Sequence, residues 1–328
     1  MTGGRTLAAA ALTALAFVAA ALAPVWTYAL SLALFGLSHV ACELRYLDER
    51  FGGRIDGRAW RQLAALLLAI AALRAIALAG VGDATARMAI ELLCGGALAV
   101  AVAPKLRRNG PLAAGLGLLA LGLALTGASL APAAALVAFA FVHNLTPLGL
   151  LAERLHGPAR RRGLLLAAVG LVALPLLLVL GGRRAVADAF GAAIRVDGPL
   201  ALGTLADALP AFVPGPWLDA PWARDLFTAA AFLQCMHYLV VIGWLPRLGA
   251  GDVAIAPKLR WPPPRAFARA VVAATLALTA AFALDFVGAR AAYGVFASVH
   301  AWIEVPVLLL AVGGATTPRA TTPLPEAA

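Results

Sequence analysis

The chain has 328 residues, of which 62% are hydrophobic and 13% charged, and its mean hydropathy is +0.90. A water-soluble domain carries roughly a quarter of its residues as charges, so a soluble globular fold is excluded. The formal net charge of +10 does not mark a nucleic-acid binder either. The arginines sit in short connections between apolar runs, not in a basic stripe interleaved with aromatics.

Those apolar runs are about twenty residues long, enough to cross a hydrocarbon core of ~30 Å. With charges, Pro and Gly as punctuation, the sequence predicts an all-α membrane helix bundle of about ten transmembrane helices. The spans are 6–23, 26–44, 62–80, 84–103, 111–130, 132–152, 163–181, 225–245, 265–287 and 291–313. Together they form a single transmembrane domain over residues 1–313. Met1–Ala23 also has the charged start, apolar centre and Ala-Leu-Ala ending of a signal peptide, and its removal would leave every later orientation unchanged. The joints Ala23-Pro24-Val25 and Leu130-Ala131-Pro132 predict helical hairpins. The one long connection, 182–224, is rich in Gly, Pro and Asp, with Trp217 and Trp222 as interfacial anchors. The Thr/Pro-rich tail, 314–328, reads as disordered. Cys42, Cys94 and Cys235 lie in apolar segments without a C-x-x-C pair, so no disulfide framework is expected.

Basic residues orient this map. With the N-terminus cytoplasmic, 19 of the 26 fall in cytoplasmic segments and six on the other side, leaving Arg74 within the membrane. The alternation holds loop by loop and places the chain as a multi-pass protein of the cell inner (plasma) membrane.

Ionisable residues inside spans are costly and point to function. Four of the five histidines qualify: His39, His143, His237 and His300. The fifth, His156, lies in a basic loop and reads as solvated. The four fall on the second, sixth, eighth and tenth spans, which all run the same way. His39 lies 11 residues beyond Tyr28, His143 11 beyond Pro132, His237 12 beyond Asp225 and His300 10 beyond Arg290. At ~1.5 Å per residue each imidazole is roughly 15–18 Å deep, in one layer near the midplane. That is the arrangement a metal site needs.

Two of the histidines carry an acid one turn on, His39 to Glu43 and His300 to Glu304, and i, i+4 spacing puts each pair on one helix face. These are the candidate catalytic acids. Each could ligate a metal, compensate its charge or hold an imidazole from behind; both could instead belong to the cytoplasmic interface. Imidazole with optional carboxylate suits iron, zinc or copper. Arg74 and Glu91, on consecutive antiparallel spans, are expected to form a structural ion pair, and Asp285 is expected at an outer helix end.

The histidine-bearing segments resemble the Brp/Blh family of membrane carotene dioxygenases. Phe35-Gly36-Leu37-Ser38-His39-Val40-Ala41-Cys42-Glu43 is similar to the family's Gly-Leu-Pro-His-Gly-Ala-x-Asp, with Ser for Pro and Glu for Asp. His143 in Phe141-Val142-His143-Asn144 sits where the family has a His-Phe-Gly segment. His237 in Cys235-Met236-His237-Tyr238 sits at its paired His-x-x-x-His. His300, in Ser298-Val299-His300-Ala301-Trp302-Ile303-Glu304, resembles its last His. Position 241 is Val where the family has its second paired His, and Pro147 stands near the place of the acid that follows the second-motif His.

The resemblance implies four imidazoles on non-haem Fe(2+), O2 as co-substrate, and cleavage of β-carotene or a related carotenoid to retinal-type aldehydes. The substrate would be a hydrophobic small molecule taken laterally from the lipid phase into a tunnel lined by Phe139, Phe141, Phe232 and Trp302. The same histidines are open to two other readings: paired ligands of a bis-histidine haem cytochrome, or relay and packing groups of a transporter or non-enzymatic scaffold. The clustered H-x-x-H pairs of lipid desaturases are absent from the sequence.

Overall fold

The computed structural model describes residues 3–198, 202–248 and 257–314. The predicted tail and part of the long connection lie outside these residues. The ten principal helices are α1 (Gly3–Leu22), α2 (Pro24–Phe51), α3 (Gly57–Leu78), α4 (Ala84–Ala101), α5 (Pro111–Leu130), α6 (Pro132–Arg154), α7 (Arg160–Ala189), α8 (Ala223–Gly243), α9 (Pro264–Leu284) and α10 (Phe286–Gly314). Among the described residues nine helices are long and apolar enough to cross a membrane, and α1 adds a shorter apolar stretch, Leu7–Leu22. The chain is an all-α polytopic bundle of a multi-pass membrane protein.

Proline sets the hairpins. Pro24 and Pro132 occupy the first turn of α2 and α6, where a missing N–H costs nothing and the fixed φ suits a helix start. The preceding helices end at Leu22 and Leu130, so the turns are as tight as predicted. Asp56, Asp83 and Asp285 start α3, α4 and α10 by accepting backbone N–H groups, and Asp285 is exposed at its helix end as expected. Hydrogen bonds from the Ala59 and Arg58 N–H groups hold the Asp56 carboxyl below the usual range.

Several boundaries differ from the reading by charge; α3 begins at Gly57 instead of 62. α2 continues to Phe51 instead of ending at 44, and α10 begins at Phe286. Charges mark where a helix leaves lipid, not where its hydrogen bonding stops. α7 runs on to Ala189 but is interrupted by π turns at Val169–Ala173 and Leu178–Gly182, with Gly181 at φ 98°, a conformation open chiefly to glycine.

The long connection is an ordered cap. Leu202, Leu205, Leu209 and Phe212 bury themselves with Val25, Tyr28, Phe227 and Phe286, at the N-terminal ends of α2, α8 and α10. Tyr28 meets Phe212, Phe227 and Phe286 edge-on, at 5.5, 5.6 and 6.2 Å between ring centroids. A Thr204–Asp207 capping box starts its short helix Leu205–Ala208. The donated Thr204 N–H and hydroxyl hold the Asp207 carboxyl below the usual range. Trp217 and Trp222 are exposed and pair edge to face. At the opposite end the charged extension of α2 ties neighbouring segments together. Arg50 bonds Glu153 of α6 at 2.6 Å, and Asp48 accepts from Lys258 N, Leu259 N and Trp261 Nε1, each at 2.9 Å.

Candidate metal centre

The most buried helices, α2, α8 and α10, together with α6, bring His39, His237, His300 and His143 to one point. The ligand-capable atoms of the four lie within 4.8 Å of one another. Glu43, His237, His300 and Glu304 satisfy the same criterion. The one-layer expectation is met in space, and the cluster includes both predicted acids. Their placement at the cytoplasmic interface is excluded, since Glu43 and Glu304 have no exposed surface. His237 is likewise sealed, and His39 and His300 are 1% and 2% exposed. His143 is 9% exposed, beside the exposed Val142, so it forms the edge of the cluster nearest lipid.

Local backbone chemistry presents these side chains. Pro147 lies inside α6 and removes the N–H that would bond the carbonyl of His143, four residues earlier. The Thr146 hydroxyl takes that carbonyl instead, at 2.7 Å. Gln234, one turn before His237, donates to Ser31 of α2 at 3.0 Å and fixes α8 against α2. Tyr238 stacks on His39, centroids 4.0 Å apart.

Hydrogen bonds select tautomers for two imidazoles. His143 Nδ1 donates to Glu304 Oε2 at 2.8 Å, and His39 Nδ1 to the Phe35 carbonyl at 3.3 Å. The Phe35 carbonyl only accepts, so His39 keeps a lone pair on Nε2, and an ionised Glu304 would leave His143 in the same state. Metal-binding histidines are ordinarily held from behind in this way. His39 Nε2 faces His300 Nε2 at 3.1 Å, matching the separation of about 3.0–3.4 Å between adjacent ligands on bonds of about 2.1 Å.

The acids do not serve the histidines of their own helices. Glu304 reaches His143, not His300. Glu43 Oε2 lies 3.4 Å from His237 Nε2 and 3.9 Å from His300 Nε2. Neither oxygen of Glu43 and neither ring nitrogen of His237 has a hydrogen-bond partner. Leaving a buried polar group unpaired costs about 1–3 kcal/mol, and here several such atoms face one another. A divalent cation fits this donor set. Four neutral imidazoles and two carboxylates around one such ion sum to zero charge, which a low-dielectric site demands.

The geometry does not suit paired haems. A macrocycle must lie between the two imidazoles of a bis-histidine haem, yet His39–His237, His39–His300, His143–His237 and His143–His300 have ring centroids 4.7–5.3 Å apart. The four aromatics expected to line a tunnel each pack against another ring. Phe139 stacks on Trp302 at 3.8 Å, Phe232 packs edge-on against Phe17, and Phe141 meets Phe212.

Arg74 and Glu91 form the expected ion pair, with Nε–Oε2 at 2.7 Å and Nη2–Oε1 at 2.8 Å. Sequence reasoning missed its third member, Trp302, whose Nε1 donates to Glu91 Oε1 at 3.0 Å. The available signal was the position of Trp302 between His300 and Glu304. Also missed were the Phe35 carbonyl, Thr146 and the Ser31–Gln234 bond. A searched comparison finds no family model, no curated protein and no solved structure that matches the chain.

Proposed function

We propose that the chain is a membrane-embedded non-haem iron oxygenase acting on a carotenoid or related apolar polyene drawn from the lipid phase of the cell inner membrane. One observation carries the metal reading: four histidines from four helices converge in the apolar core with their coordinating atoms within 4.8 Å. The choice of Fe(2+), O2 and carotenoid rests on the resemblance of the histidine segments to the carotene dioxygenases.

In this reading His39, His143, His237 and His300 hold the ion, and bound Fe(2+) would supply the activation of O2. Glu304 fixes the ring of His143 through its Nδ1 proton. Glu43 faces His237 and His300, one oxygen at 3.4 and 3.9 Å, and supplies compensating charge. The cap over the outer helix ends and the α2 extension at the inner face keep bulk water from the cluster. His143, the least buried member, is the side on which a lipid-dissolved substrate would approach.

The test has two arms. Protein purified from iron-replete cells should contain about one iron per chain, and His237→Ala should lose it. Expression in a β-carotene-producing bacterium should bleach the colour and yield retinal. Full iron occupancy with unchanged carotene rejects the substrate but keeps the site. Absence of iron, zinc and copper alike rejects the metal centre.

A further inference from the structure

On α10, Trp302 lies two residues after His300 and two before Glu304. At 100° per residue it projects from the side of the helix away from both. There it meets α4 and α6 directly, and α3 through the Glu91 carboxylate. Its Nε1 donates to Glu91 of α4 at 3.0 Å, and Arg74 of α3 grips the same carboxylate at 2.7 and 2.8 Å. Its ring lies flat on Phe139 of α6, 11° from parallel at 3.8 Å, one turn before His143. Gly95 of α4 makes room, since a Cβ there would overlap the indole. Trp302 and Glu91 are 4% and 3% exposed.

We infer that Arg74, Glu91 and Trp302 are positioning residues that set the rotation of α10, holding His300 in the cluster and Glu304 against His143. The inference rests on the metal reading above. Hydrophobic contacts alone permit a helix in lipid to turn about its axis, because the surrounding tails are as apolar as its own side chains. A directional N–H···O bond to a carboxylate already held by the Arg74 guanidinium, whose Nη2 donates to it at 2.8 Å, removes that freedom. A turn of α10 that withdrew His300 would also break the 2.8 Å contact between Glu304 and His143, so one anchor governs two of the four imidazoles.

Cobalt(II) binding to the full-length protein in detergent tests this, because its visible absorption reports ligand geometry directly. Trp302→Phe keeps the stack and loses the donor, and Glu91→Leu removes the acceptor. Each should weaken cobalt binding about tenfold and alter the visible band. Glu91→Gln retains an acceptor oxygen and should restore most of the wild-type spectrum. Gly95→Ala, which alters none of the three residues but displaces the indole, should reproduce the altered band should the Phe or Leu variants not fold. Wild-type spectra and affinity in folded Trp302→Phe, Glu91→Leu or Gly95→Ala protein would overturn the positioning role and leave the site standing. A wild-type protein that takes up no cobalt would overturn both.

Discussion

His143 on α6 donates its Nδ1 proton to Glu304 on α10 at 2.8 Å, so the carboxylate orients a histidine of a neighbouring helix rather than the one a turn before it. The contact fixes the ring tautomer and crosses the helix seam at the cluster. Glu304→Gln can still bond Nδ1 through its amide oxygen, but as a weaker, uncharged acceptor, whereas Glu304→Ala leaves the proton unpaired. Divalent-metal affinity should therefore fall about tenfold for Gln and nearer a hundredfold for Ala. Competition with a chromogenic chelator measures both, and equal affinities for the two variants would refute the orienting role.

Glu43 has a different part to play. Its oxygens have no hydrogen-bond partner, and one lies 3.4 Å from His237 Nε2 and 3.9 Å from His300 Nε2. Glu43→Gln preserves volume and removes the charge that neutralises a divalent ion. In a buried site that deficit is costlier than a misdirected ring. Its metal affinity should drop further than that of Glu304→Gln in the same titration, and the reverse order would exchange the two roles.

Much of this was legible before any coordinates. Pro24 and Pro132 placed the hairpins, the apolar runs gave the helices, and four histidines at one counted depth anticipated a cluster. What was not legible has a common cause. Spacing along one helix shows which residues share a face, but not which neighbouring helix that face meets. Thus i, i+4 spacing paired Glu43 with His39 and Glu304 with His300, whereas packing pairs them with His237 and His143. Likewise Phe139 and Trp302 are apolar on any scale, and only the approach of α6 to α10 shows that they stack on each other. The cap escaped notice because its leucines are spread among Gly, Pro and Asp, a composition that reads as loose chain.

The Asp48 carboxylate gathers two backbone N–H groups and an indole N–H from residues 258–261, all at 2.9 Å. It thereby latches the segment before α9 to the α2 extension, roughly one turn from Glu43. Asp48→Ala removes all three bonds. Hydrogen bonds to a charged group contribute about 1.5–3 kcal/mol each, so even one such loss should raise local opening about tenfold. In inverted membrane vesicles trypsin should cut at Lys258 and Arg260 correspondingly faster than in wild type, and an unchanged cleavage rate would show that the latch does not hold the segment.

At the capped end of the bundle Arg183, read from the sequence as a loop charge, is buried in an ion pair with Asp225, Nε to Oδ1 at 2.6 Å. The bond joins the last turns of α7, just beyond its Gly181 break, to the first turn of α8. Both side chains are about nine-tenths buried, so each depends on the other for compensation. Asp225→Asn or Arg183→Met leaves one buried charge unpaired and should cost about 3–5 kcal/mol. Replacing both with leucine removes both desolvation costs and should recover most of that loss, because apolar contact substitutes for the pair. Denaturation in mixed micelles followed by tryptophan fluorescence distinguishes the cases. Singles as stable as wild type, or a double variant worse than either single, would contradict the account. Asp225 opens the helix that ends its third turn near Gln234 and His237, so the single variants should also loosen metal retention, while the double should keep it.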